Sequence, residues 1–151
     1  MSRPLAPVER EPAVDWRSVG LGAILVATLA TGFAAGATAL VRHTLDPDTG
    51  PTAAALSEGF AAFYAAGIGI AVGGAIAAAL SRRGRWVADG VLAAVVGYCL
   101  VIGVAAATGP SDLTFEEYLE FAFFFAAPAI GLGTVGAIIA AGVRRARTRA
   151  R

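Results

Sequence analysis

Few residues in this 151-residue chain have types and spacings that could do chemistry, and most of them sit at the edges of long apolar runs. Glu58 and Glu120 open two similar stretches, and a pair of carboxylates at one vestibule could attract cations. Solvated carboxylates near helix N-termini would serve equally well as a purely structural feature, because the helix dipole favours negative charge there. Asp89 follows Arg82, Arg83 and Arg85 and lies about one turn into the next apolar run. That spacing suits a boundary salt bridge; a proton relay is the alternative use. Tyr98 falls in the middle of the same run, where its hydroxyl needs a partner. Thr28, Thr31 or Thr134 could supply one from a neighbouring helix.

The remaining candidates are weaker. His43, Asp46 and Asp48 form His-x-x-Asp-x-Asp on a turn-rich stretch, a pattern too unspecific to define a metal site. The lone Cys99 excludes an intramolecular disulfide and behaves as a small hydrophobe. No nucleophile–base pair and no metal-ligand set can be assembled at one depth, so no catalytic residue, metal or cofactor is expected. No charged residue lies near the middle of any apolar run, whereas ionisable groups at depth are what mark ion and proton pathways.

The elements that carry these residues follow from composition. The chain is 57% hydrophobic and 15% charged, and its apolar residues are gathered into runs at 19–41, 59–80, 87–108 and 121–143. Each is long enough for a helix to cross a hydrocarbon core about 30 Å thick, and none has a polar face of helical period. The expected fold is an all-α integral membrane protein whose four transmembrane helices form two tandem parallel hairpins in a four-helix bundle. The membrane domain would cover 18–143, with a proline-rich tail at 1–17 and a basic tail at 144–151. Ala37-Thr38-Ala39 resembles a cleavage triplet, but the run before it is too long for a signal-peptide core, so an uncleaved first span is expected. Thr114 and Glu117 have the spacing of a capping box, which starts the last helix near Phe115, and Pro128 interrupts that helix.

Arginine distribution sets the orientation. All twelve basic residues are arginine, a usage that, with the abundant alanine and glycine, fits a GC-rich prokaryotic genome. Eleven of them fall in the two tails and the middle link, including Arg82, Arg83, Arg85, Arg144 and Arg145, and only Arg42 lies on the opposite side. By the positive-inside rule both termini face the cytoplasm of a multi-pass protein in the cell membrane. The same arginines would hold anionic lipid headgroups, and no nucleic acid is needed to explain them.

The stretch 58–83 recurs at 120–145 with 12 identities in 26 ungapped positions, including Phe63/Phe125, Gly69/Gly131 and Gly74/Gly136. The first and third runs align more weakly, at an offset of 70. The expected arrangement is an internal repeat, 16–83 and 86–145, about an axis along the membrane normal. Small residues would let the helices approach closely: Gly32 and Gly36 in the first span, Gly69 and Gly73 in the second, Gly131, Gly133 and Gly136 in the fourth. The function expected from all this is non-enzymatic, that of a structural, accessory or self-associating membrane subunit with a second copy or another membrane protein as partner. The alternative is a small transporter or channel with its pathway between repeats or protomers.

Overall fold

A computed structural model describes residues 14–82, 85–108 and 114–150. Four helices make up the described chain: α1 (Trp16–Thr44), α2 (Pro51–Leu80), α3 (Trp86–Thr108) and α4 (Phe115–Arg149). Each is long and apolar enough to cross a membrane. Arg83 and the second polar loop lie outside the described residues, as do the side chains of Tyr118 and Phe121.

Local sequence explains where the helices begin. The Asp15 side chain caps α1 by accepting from the Ser18 amide, and Pro51 occupies the first turn of α2, where its missing N–H costs nothing. At α4 the Thr114 hydroxyl accepts from the Glu117 amide while the Glu117 carboxylate accepts from the Thr114 amide at 2.7 Å, a complete capping box. That helix runs unbroken through Pro128 for 35 residues, about 52 Å at 1.5 Å per residue. The helices overrun the apolar stretches by several residues at most ends, because the backbone ladder continues into polar sequence as long as a cap is available.

α1 packs on α2 and α3, α4 packs on the same two helices, and α2 touches α3, whereas α1 and α4 make no contact among the described residues. The closest approaches are made by glycine. A Cβ on Gly69 would stand 2.5 Å from the Ala30 amide, and one on Gly73 would stand 2.7 Å from the Val26 Cα. One on Gly97 would meet Val26, and one on Gly90 would lie 2.8 Å from the Gly74 carbonyl. Gly22 faces Ala77 and Ala93, and Gly133 faces Ala94. The core is correspondingly small-sided: Val26, Ala30, Ile70, Ala94 and Ala129 form one buried cluster, with Tyr98 packed against it. With side chains this short, stability comes from van der Waals contact between backbones rather than from large buried side chains.

Three of the expected packing glycines do something else. Nothing lies within 4 Å of a Cβ built on Gly32, Gly36 or Gly131. The four-residue spacing of Gly32 and Gly36 is present without a close neighbour at either position. Gly22, Gly90 and Gly97 make close contacts without any such spacing.

Close packing is confined to one half of the bundle, the end that carries Asp15, Ser81 and Trp86. Towards the opposite end α2 and α4 separate around an apolar cavity of about 650 Å³ lined by Phe60, Phe63, Tyr64, Phe124 and Pro128. Between α2 and α4 the contacts come in matched pairs. Gly74 meets the Gly133 carbonyl, Gly136 meets the Ala71 carbonyl, and Phe63 stacks on Phe125 with ring centroids 4.6 Å apart. Residues 71, 74 and 63 correspond to 133, 136 and 125 at the offset of 62 found in sequence. The match is local. A rotation exchanging α1 with α3 and α2 with α4 would turn the α2–α3 contact into an α1–α4 contact, which the described residues lack.

Candidate functional site

The polar residues that the bundle buries gather at its closed end. Asp89, in the first turn of α3, is 0% exposed, and so is Ser81, which ends α2. The Ser81 hydroxyl donates to Asp89 Oδ2 at 2.5 Å, and the Asp15 amide donates to Asp89 Oδ1 at 3.4 Å. Asp15 in turn accepts the Arg82 amide on Oδ2 at 3.2 Å and the Ser18 amide on Oδ1 at 3.5 Å, while the Ser18 hydroxyl donates to the Asp15 carbonyl at 2.9 Å. From α4, Arg144 Nη1 donates to the carbonyls of Ser81 at 2.8 Å and Ala79 at 3.2 Å, and its guanidinium lies 4.6 Å over the Trp86 ring.

All four helices therefore meet in one network. Arg144 satisfies carbonyls that the end of α2 leaves free, the usual role of a cation at a helix C-terminus. Asp89 occupies the electropositive start of α3 and receives two donors, which is how a buried carboxylate is tolerated. Every buried side-chain polar atom among the described residues has a partner. The arrangement is a clamp. Its one hydroxyl–carboxylate pair has no imidazole beside it, since His43 lies at the other end of α1.

Several expectations change here. Asp89 is held by the Ser81 hydroxyl and the Asp15 amide, because the link brings the end of α2 directly over the start of α3. Arg144 is engaged inside the chain through Nη1, and the side chains of Arg82, Arg85 and Arg145 are exposed. Tyr98 donates to the Ala122 carbonyl on α4 at 2.7 Å, not to a threonine. The hydroxyls of Thr28 and Thr134 are already bonded to the carbonyls of Ile24 and Ile130, each at 2.8 Å. Asp15, Ser18 and Ser81 escaped the sequence reading. Asp15 sits at the edge of a tail that reads as unstructured, although Asp-x-x-Ser before an apolar run is a recognisable cap.

At the open end, Glu58 does not stand against Glu120. Both Arg42 Nε and Nη2 donate to Glu58 Oε2 at 2.8 Å, closing the α1–α2 hairpin. Glu120 is exposed beside Glu116 and Phe123. No group of three or more histidine, cysteine or acidic side chains able to hold a metal ion occurs among the described residues. A scan against family models, a search of curated proteins and a search of solved structures each return no match to this chain.

Proposed function

We propose that this chain is a four-span integral membrane protein with both termini in the cytoplasm, acting as a non-enzymatic structural or accessory subunit that associates with copies of itself. The observation that carries the reading is the filling of the bundle's centre. Gly74, Gly90, Gly97 and Gly136 bring backbone against backbone or side chain where a conduction path between the repeats would have to run. The buried clamp of Asp15, Ser81, Asp89 and Arg144 supports it further, since it fastens all four helices at the end where the arginines gather. The matched contacts of α2 and α4 support a common origin for those two helices.

Purified protein in phospholipid vesicles tests the reading in two measurements. A structural subunit gives no protein-dependent flux of protons or monovalent cations and is found as more than one copy per particle. A flux that tracks protein content would favour the small transporter or channel instead.

A further inference from the structure

α1 and α4, the two helices that do not touch among the described residues, present outer faces that fit each other. We propose that α4 of one copy packs against α1 of the next. This names the contact behind the self-association proposed above and rests on that reading.

The faces differ in shape and charge. α1 exposes large side chains at Leu21, Ile24, Phe33 and Leu40, but on the face that carries Gly32 the residues are small, and Ala35, Thr38 and Ala39 floor a hollow of about 570 Å³ bounded by Arg42 and His43. On α4, Phe123 and Phe124 are 78% and 76% exposed, with Glu116 and Glu120 exposed beside them. Arg42 keeps 67% of its side chain accessible despite its bond to Glu58.

They also lie at the same level. Gly73 on Val26, Gly69 on Ala30 and Arg42 on Glu58 set α1 and α2 in antiparallel register, and Phe63 on Phe125 sets α4 level with α2. Glu58 and Glu120 each precede their phenylalanine by five residues, so Glu120 is level with Arg42. Three residues deeper on each helix, Phe123 is level with Ala39. Deeper still, Gly131 and Gly32 fall within two residues of one level, and a Cβ on either would meet nothing from a neighbouring helix within 4 Å. Large side chains thus meet small ones, acids meet bases, and two glycines left unpartnered in the chain meet each other.

Like-on-like contacts lack this match. An α1–α1 pair in one membrane orientation would oppose Arg42 and His43 to themselves, and an α4–α4 pair would oppose Glu116 and Glu120 to themselves. A contact of unlike faces does not close on itself and builds a ring or a chain of copies.

The test uses the full chain with Cys99→Ala, carrying Ala35→Cys, Ala127→Cys, or both, in phosphatidylethanolamine–phosphatidylglycerol vesicles under mild oxidation. Both positions are exposed, and each lies seven residues deeper than Arg42 or Glu120, so the two thiols come level across the contact. The double variant is expected to give a ladder of disulfide-linked trimers and larger species. Each single variant alone is expected to stay unlinked, and a mixture of the two singles to give dimers only. Adding Glu116→Lys and Glu120→Lys should lower the yield by about threefold, as loss of exposed ion pairs does. Dimers from either single variant alone would overturn the proposal in favour of a like-on-like contact. An unlinked double variant that still shows several copies per vesicle by single-molecule photobleaching would overturn this contact and leave self-association standing. One copy per vesicle throughout would overturn both.

Discussion

The Ser81 hydroxyl at the end of α2 donates to the Asp89 carboxylate at the start of α3 at 2.5 Å, and neither residue exposes any surface. This bond fixes how α3 follows α2, because it spans the short link between them. Breaking it from the carboxylate side is expected to be the more damaging change. Asp89→Ala strands the Ser81 hydroxyl and the Asp15 amide at the cost of about 1–3 kcal/mol for each buried unsatisfied group. Asp89→Asn, which keeps an acceptor, should lose less. Thermal unfolding in detergent of the two variants beside the wild type gives the order.

Glycine substitutions separate the packed face from the open one. Gly69→Ala and Gly73→Ala place a methyl group against the backbones of Ala30 and Val26, and overpacking of this kind costs typically about 1–3 kcal/mol. Gly32→Ala meets open space and is expected to leave the monomer's stability unchanged or slightly raised, by up to about 1 kcal/mol from helix propensity. Equal melting temperatures for Gly69→Ala and Gly32→Ala would contradict the packing described.

Much of this fold is legible in the sequence, and the part that is not has a physical reason. Four helices are visible because a run such as 59–80 has no polar face to offer water. The capping box at Thr114 and Glu117 is legible too, since both of its bonds are local in sequence. Which face of a helix meets which neighbour is not. Gly32-x-x-x-Gly36 and Gly69-x-x-x-Gly73 look alike on paper, and only the second has a helix against it. The clamp was hidden for a similar reason. Asp15 and Asp89 are 74 residues apart, and nothing local announces that a backbone amide from the start of α1 donates to the buried carboxylate.

Tyr98→Phe removes one interhelical hydrogen bond, to the Ala122 carbonyl, while keeping the ring that packs on the core. Single bonds of this type between helices average about 0.6 kcal/mol. A loss of that order is expected in a denaturation assay, and a loss of several kcal/mol would mean that the hydroxyl does more than join α3 to α4.

The start of α4 should respond to acid. The Glu117 carboxyl is held below its ordinary value, first by the Thr114 backbone amide and then by the Thr114 hydroxyl. A group whose folded pKa is depressed contributes stability that is complete above its unfolded value, about 4.3, and that is lost as pH falls through the folded value. Protection of the first-turn amides of α4 against exchange, taken relative to the intrinsic rate at each pH, should therefore fall below about pH 4, and Glu117→Gln, which can still accept from Thr114, should remove most of that fall.

The most direct test of the four-span account is the side of the membrane on which each end of the helices lies. Reporters whose activity depends on compartment, fused at the N-terminus, at the C-terminus and within the loop at Asp48, are expected to read cytoplasmic, cytoplasmic and external. An external C-terminal reporter would contradict the account outright, because an even number of crossings must return the chain to the side on which it began.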